Sequence, residues 1–172
     1  MKRFVSIILA LILILPVSGC GYRIAPAGEK MGREIKAVYI DTFTNHTSEA
    51  YVENYVRNAF INQFIRGNRF TSAYEKEPSD AVLSGKIRGL STSHVSYERN
   101  DTAREDTVSL SFDVEFKDSE GTILWAKKSL SGREAYRIDD NPSITERNKK
   151  EALIKLSRDM AEKTYRDIMS GF

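Results

Sequence analysis

The most regular pattern in the chain is the alternation of apolar and polar residues from Val108 to Phe116. Apolar side chains at every second position are typical of a β-strand with one buried and one solvated face. Residues 118–121, Asp-Ser-Glu-Gly, predict a turn, and residues 123–131 predict the strand that returns from it. These segments predict an antiparallel β-meander.

Two earlier segments are also rich in β-forming residues. Residues 35–43 contain Val38, Ile40 and Phe43 and predict a strand, and residues 70–74 are compatible with a short one. Residues 80–97 predict a long strand, inside which Gly85 and Gly89 indicate a bulge or a sharp bend.

Two segments have the three- and four-residue spacing of amphipathic helices. Residues 49–66 place their apolar side chains on one face, with Thr47 or Ser48 as a possible cap and Gly67 as a stop. A second helix is predicted from a capping box at Ser143 and Glu146 to about Ser170. Its apolar stripe consists of Leu153, Leu156, Met160, Ala161, Thr164 and Ile168.

The element order β-α-β-β-β-α predicts an α+β fold, a two-layer sandwich of two helices on a mostly antiparallel, four-stranded sheet. The domain is expected to span residues 35–172. The outward face of the sheet carries Ser, Thr, Asp and Lys side chains. That face is therefore either solvated or covered by a partner.

The N-terminus has the composition of a targeting signal. Lys2 and Arg3 precede an apolar run that ends near Leu15, too short to span a bilayer comfortably. Val-Ser-Gly before Cys20 resembles a bacterial lipobox, in which the chain is cut before the cysteine and its thiol is lipidated. We therefore expect a signal peptide over residues 1–19, a lipidated tether over residues 20–34, and stable anchorage by two or more acyl chains.

Gly21 follows the cysteine where an aspartate would favour the inner membrane. By resemblance to the lipoprotein sorting rule, the expected location is the periplasmic face of the outer membrane.

Composition narrows the possible functions. Removing residues 1–19 leaves 153 residues with 24 Lys and Arg against 24 Asp and Glu, so no bulk basic footprint for nucleic acid remains. Cys20 is the one cysteine, which excludes an intrachain disulfide and a multi-thiolate zinc site. No metal or cofactor is expected.

Catalytic chemistry has little support in the sequence. There is no phosphate-binding glycine loop and no nucleophile or zinc motif. His46 and His94 stand at no ligand spacing, so we expect surface or loop-bonding histidines. Asp139 and Asp140 could form an acid–base pair, but their place before a helix favours loop and helix-dipole roles.

Two basic groups remain as candidate ligand contacts. Arg99 and Arg104 lie in one predicted strand-to-strand connection, and Arg147, Lys149 and Lys150 lie in the first turns of the second helix. Guanidinium and ammonium groups bind phosphates, so these residues could hold a phosphorylated ligand. A solvated charged surface is the alternative interpretation.

Five short motifs, in order and behind a lipobox, resemble the LPS-assembly lipoprotein family, LptE. They cover nearly the whole mature chain, and each is weak alone. The residues that carry the resemblance are Cys20-Gly21-Tyr22, Ile35-Lys36-x-Val38-x-Ile40-x-x-Phe43-x-Asn45-x-Thr47, Asp80-Ala81-Val82-Leu83-Ser84-Gly85-Lys86-Ile87, Val95-Ser96-Tyr97 and Gly121-x-x-Leu124-Trp125.

The resemblance implies a function without catalysis. Members plug an outer-membrane β-barrel partner, LptD, help it to assemble, and take part in delivering lipopolysaccharide to the outer leaflet. They also bind lipopolysaccharide, so the resemblance places the tentative ligand contacts at Arg99, Arg104, Arg147, Lys149 and Lys150.

Two other functions remain open. An outer-membrane lipoprotein that activates a cell-wall synthase, a penicillin-binding protein, begins with a similar strand end and helix. A periplasmic enzyme would need a cleft with converging titratable groups. The long meander favours the LptE family over the first alternative, and the lack of catalytic motifs disfavours the second.

Overall fold

The computed structural model describes residues 35–95 and 104–171. The signal peptide, the tether with Cys20, and Arg99 lie outside these residues. The strands are β1 (Ala37–Ile40), β2 (Thr44–Asn45), β3 (Thr71–Ala73), β4 (Ala81–Val95), β5 (Glu105–Asp118) and β6 (Ile123–Arg137). The helices are α1 (Val52–Arg66), which follows β2, and α2 (Pro142–Ser170), which follows β6.

The α+β class and the antiparallel meander β4-β5-β6 are confirmed, but the prediction of a four-stranded, mostly antiparallel sheet is wrong. The sheet has six strands in the order β3-β1-β4-β5-β6, and β2 also pairs with β4. β1 pairs in parallel with both β3 and β4, and β2 pairs in parallel with β4. The sheet is therefore mixed.

The parallel pairing of strands follows from the way in which the chain connects them. A helix that joins two strands carries the chain back to the end where the first strand began, so the two strands run in parallel. α1 makes this crossover between β1 and β3. The predicted strand over residues 35–43 is shorter in the structure, where β1 ends at Ile40. Phe43 turns into the core before β2 begins and is 1% exposed.

Both helices begin differently from the prediction. The residue before α1 is Tyr51, in the left-handed region at φ 66°, with no side-chain cap. Thr47 does not cap α1, because its hydroxyl lies in the preceding turn, where it donates to Asn45 Oδ1 (2.8 Å) and accepts from the Glu49 N–H (3.3 Å). The cap of α2 is Asn141, whose side chain accepts from the Ser143 N–H (3.0 Å), so the capping box at Ser143 does not form.

The hydrophobic core lies between the helices and one face of the sheet. The alternation predicted for β5 is confirmed over its length, and the predicted stripe of α2 is buried throughout. Aromatic rings dominate the centre: Phe64 contacts Phe70, Phe116 and Tyr165 at centroid distances of 5.1–6.3 Å. Burial of these large side chains is the main favourable term in folding.

Phe43 connects the parallel strands to the meander. Its ring stacks on Phe60 of α1 (5.3 Å) and meets Phe112 of β5 edge-on (5.8 Å). The ring also covers Gly85 of β4, where a Cβ atom would overlap with it. Gly85 is therefore a site of close approach, which is one of the reasons for glycine inside a strand.

Asp113 lies between two bulges that bend the meander. The register shifts at Arg88 in β4 and at Lys128 and Ser129 in β6, on either side of Asp113 in β5. The Asp113 carboxylate accepts from Arg88 Nε (2.8 Å) and from the Ser129 backbone N–H (2.9 Å). The Ser129 hydrogen bond and the Arg88 guanidinium hold the pKa of Asp113 below its ordinary value.

These bulges divide the meander into two halves. In the lower half, β4 is paired with β1 and β2 as far as Ile87. The upper half consists of β4 from Gly89, the start of β5, and β6 from Leu130. No helix in the described part of the chain is long and apolar enough to cross a membrane.

We expect Asp113→Ala to lower the free energy of unfolding by about 1–3 kcal/mol, because a half-buried carboxylate that joins three strands is lost. Urea denaturation at neutral pH measures this. Since the folded-state pKa of Asp113 is depressed, its contribution is present at neutral pH and disappears as the pH falls through the folded pKa. The difference from the unmodified protein should therefore shrink in acid.

Asp159→Ala is the matched control, because Asp159 forms an exposed pair with Lys155 on α2. An exposed pair of this kind contributes less than about 1 kcal/mol. Equal losses in the two variants would contradict a bridging role for Asp113.

Candidate functional site

The predicted basic residues that the structure describes lie at the upper end of the molecule. Arg104 directly precedes β5, and Arg147, Lys149 and Lys150 lie in the first turns of α2. The backbone brings the two segments together, because the Ile138 N–H donates to the Arg104 carbonyl (2.8 Å) just before the cap of α2. We call these four residues the basic end. Arg99, the fifth predicted contact, lies outside the described residues.

Lys149 is not available as a free cation. Its Nζ lies 2.7 Å from Glu49 Oε2, and only 19% of its side chain is exposed. Burial would lower the pKa of Lys149, but the hydrogen bond and charge of Glu49 outweigh it, so the pKa lies above its ordinary value. The structure thus gives Lys149 a role that differs from the predicted ligand contact. It forms an ion pair that joins α2 to the loop before α1.

The Asn45-x-Thr47 motif holds Glu49 in place. Asn45 Oδ1 accepts from the Thr47 N–H (2.9 Å), and Asn45 Nδ2 donates to the Glu49 carbonyl (2.8 Å) and to Glu53 Oε2 (3.0 Å). Asn side chains commonly form such local turns. This turn fixes the loop from β2 to α1, so Glu49 faces Lys149.

The other three residues of the basic end are exposed. Arg104 Nη1 lies 4.0 Å from Asp140 Oδ1, with both side chains almost fully solvated. Lys150 Nζ lies 6.0 Å from the ring centroid of Tyr55, the outer limit of a cation–π contact. Arg147 has no ion-pair partner among the described residues. Weakly held guanidinium and ammonium groups of this kind can turn toward an anionic ligand.

A row of polar side chains crosses the inner face of the upper sheet. His94 of β4, Asp106 of β5 and Tyr136 of β6 are direct cross-strand neighbours. His94 Nδ1 lies 2.6 Å from Asp106 Oδ1, and the Tyr136 hydroxyl donates to Asp106 Oδ2 (3.3 Å). Burial and the charge of Asp106 raise the pKa of Tyr136, and the nearby Lys149 opposes this shift.

His94 is a surface histidine, as expected, but it also belongs to this row. Its side chain is 85% exposed, but one nitrogen is held by a carboxylate that is 7% exposed. The sequence contained the signal in the alternation of β5, which extends two positions before Val108 and places Asp106 on the buried face. Tyr136 and Glu49 could not be found that way, because their roles depend on partners distant in the chain.

The acids before α2 have structural roles. Asp139 Oδ1 accepts from the Asn141 N–H (2.9 Å), and the Asp139 N–H donates to Thr145 Oγ1 (2.8 Å). Asp140 is fully exposed opposite Arg104. No group of three or more His, Cys, Asp or Glu side chains suited to a metal ion occurs among residues 35–95 and 104–171.

Together these features define a class: a small two-layer α+β domain whose loops and helix start gather cations at one end. The family model Lipopolysaccharide-assembly, LptE, matches residues 35–168. The chain therefore belongs to the LptE family, a family of non-catalytic lipoproteins involved in lipopolysaccharide assembly.

Two solved structures are similar to this chain at low identity. A Caulobacter crescentus CB15 lipoprotein is 13% identical with a TM-score of 0.52, over 75% of this chain and 88% of that one. Uncharacterized lipoprotein B from Nitrosomonas europaea is 15% identical with a TM-score of 0.49, over 77% and 81%. The first of these shows a shared fold and nothing further about function. No curated protein matches the chain.

We expect Glu49→Gln to lower the pKa of Lys149, because burial then acts on the ammonium without the opposing carboxylate. Nuclear magnetic resonance of the lysine side-chain carbons, followed through a pH titration, measures this pKa. Glu53→Gln is the control, since Glu53 contacts Asn45 rather than Lys149. An unchanged Lys149 pKa in the Glu49 variant would contradict the ion pair.

Proposed function

We propose that this protein is an outer-membrane lipoprotein that plugs an LptD-type β-barrel, helps it to assemble, and takes part in lipopolysaccharide delivery. It is anchored at the periplasmic face through lipidated Cys20. Membership of the LptE family, with the match covering almost all of the described domain, is the observation that carries this proposal.

The architecture suits a plug. The described surface is of mixed charge, with ion pairs along α2, and the core is closed by large aromatic side chains. Large outer-membrane barrels have polar interiors, so a rigid domain with a polar surface can fill one without exposing apolar residues.

The basic end lies far from the point where the chain enters the domain. The chain enters the domain at Ile35, and the Lys36 and Ala37 N–H groups donate to Asp80 at the start of β4. Arg104 is at the opposite end of the meander, roughly 40 Å away at about 3.3 Å per strand residue. A tether of residues 20–34 reaches at most about 50 Å when extended. The basic end can therefore contact lipopolysaccharide well above the inner leaflet.

We propose that Arg104, Arg147 and Lys150, with Arg99, contact the phosphates of lipopolysaccharide, while Lys149 holds the loop before α1 through Glu49. Charge-assisted hydrogen bonds to phosphate are among the strongest polar contacts that a protein surface offers. The three described residues of this set are the exposed cations of the basic end.

Affinity purification of the tagged protein from gently solubilised outer membranes tests the partner. We expect a stoichiometric large β-barrel, identified by mass spectrometry, because a plug remains enclosed by its barrel. Recovery of a penicillin-binding protein instead would favour the cell-wall regulator, and recovery of no barrel would refute the plug.

We expect Arg104→Glu combined with Arg147→Glu to weaken binding of purified lipopolysaccharide at least tenfold at low salt, since four units of charge are changed beside the phosphates. Surface plasmon resonance or fluorescence titration measures the affinity. The control is Arg158→Glu with Lys163→Glu, the same charge change at exposed positions further along α2.

Both double variants should unfold at similar urea concentrations, because all four side chains are exposed. Equal weakening in the two variants would mean that net charge alone governs the affinity, and the proposed contact site would be abandoned.

A further inference from the structure

One edge of β4 changes from paired to unpaired halfway along the strand. Over the lower half, Asp41 N–H donates to the Leu83 carbonyl (2.8 Å) and His46 N–H donates to the Ile87 carbonyl (3.1 Å). From Gly89 to Val95, no strand within the described ranges pairs with this edge. Residues 91–94 are exposed, so no other described part of the chain covers them.

The direction of the free backbone groups follows from the pairing pattern. Leu83 and Ile87 face the core with their side chains and direct their carbonyls toward the β1–β2 side. The bulge at Arg88 shifts this alternation by one residue, so the corresponding inward-facing residues above it are Leu90, Thr92 and His94. Their N–H and C=O groups point away from β5, toward solvent at the free edge.

This edge lacks the features that normally prevent pairing. Natural sheets protect exposed edges with charged side chains, proline or a covering element. Residues 89–95, Gly-Leu-Ser-Thr-Ser-His-Val, contain no lysine, arginine, carboxylate or proline. The opposite edge, β6 from Ser131 to Arg137, carries Arg133, Glu134 and Arg137 over the same length. The upper β4 edge is therefore more open to pairing than the β6 edge.

The outward face beside this edge is also low in charge. Ser91 and Ser93 of β4 lie next to Ser109 and Thr107 of β5. Across β5, Ser111 pairs with Ser131 and Thr107 with Ala135, so that Arg133 is the one charged side chain among these positions. Depletion of charge is characteristic of the centre of protein interfaces. The free edge and the outward-facing residues of β4 and β5 named here therefore form a continuous neutral surface of small polar side chains.

We propose that the upper edge of β4, residues 89–95, binds an extended strand of the β-barrel partner by β-augmentation. The bound strand would lie beside β4, beyond the end of β2, and would hydrogen-bond with the backbone groups of Leu90, Thr92 and His94. The side chains of the bound strand that lie beside the neutral surface are small or uncharged, because a charge buried there would have no adjacent counter-ion. This inference rests on the proposed function and adds the surface through which the barrel is held.

This pairing also limits which part of the partner chain can supply the bound strand. A closed barrel has no free edges, because every strand of its wall is already paired on both sides. The strand that pairs with β4 therefore belongs to a part of the partner chain outside the closed wall, or to a wall that has not yet closed. Pairing of this kind would let the lipoprotein hold the barrel chain during assembly.

Hydrogen exchange on the full-length lipoprotein, alone and in its purified complex with the barrel, tests the pairing directly. The backbone amides of Leu90, Thr92 and His94 should exchange at least about tenfold more slowly in the complex. The amides of Arg133 and Ala135 on β6, at the same height, should change much less. Unchanged exchange at residues 90–94 within an intact complex would overturn the pairing and leave the plug proposal standing.

A proline scan gives an independent test. Thr92→Pro removes one outward N–H while leaving the bonds from β4 to β5, and proline is tolerated at such edge positions. We expect at least a tenfold loss of barrel recovered per lipoprotein. Ala135→Pro removes an outward N–H from the opposite edge and should have no effect. Thr92→Val, which keeps the N–H and loses the hydroxyl near Tyr136, should also bind normally.

The outcomes separate the two proposals. If no barrel is recovered with the unmodified protein, the proposed function fails before the edge is tested. If Thr92→Pro and Ala135→Pro bind equally well, and both retain the unfolding midpoint of the unmodified protein, the edge proposal fails alone. Protection of residues 90–94 without any barrel would assign the edge to a second copy or to the tether, and would also overturn it.

Discussion

The packing of Phe43 against Gly85 is the contact on which the arrangement of the sheet depends. Phe43 lies between β1 and β2, and its ring fills the space above a glycine in β4 while touching Phe60 and Phe112. This contact holds the parallel strands against the meander and positions α1 above them. The motif that contains Phe43 and the later motif that contains Gly85 each supply one side of this contact.

The bulges around Asp113 separate the half of the sheet that β1, β2 and β3 complete from the half that carries the proposed contacts. Below the bulges, β1, β2 and β3 complete the sheet, and the aromatic core is closed by both helices. Above the bulges, the meander extends beyond the parallel strands and carries His94, Asp106 and Tyr136 across its inner face. The bulges in β4 and β6, both held by one carboxylate of β5, shift the strand register between these two halves.

The basic end combines fixed and mobile charges. The pair of Lys149 and Glu49 is half-buried and joins α2 to a loop that Asn45 has already ordered, so it has a structural role. Arg104, Arg147 and Lys150 remain solvated and keep their side-chain freedom. This arrangement favours binding of a ligand with several phosphates. The rigid backbone reduces the entropy lost on binding, and the exposed cations can adjust to the shape of the ligand.

The sequence by itself determined the helices, the meander, the buried faces and the family, because these depend on local periodicity and on short motifs. It did not give the parallel pairing of β1 with β3 and β4, or the caps at Tyr51 and Asn141. Strand pairing is decided by contacts between distant segments, and a cap depends on where the preceding loop lies.

Tertiary structure alone decided which predicted cations are free and which are paired. Lys149 and Arg147 are close in sequence and identical in charge, but only Lys149 meets a carboxylate, and that carboxylate is 100 residues away. The unpaired edge of β4 likewise depends on where β2 ends in space. The periodicity of a chain shows which face of an element is buried, but the partner of each side chain is set by the assembled fold.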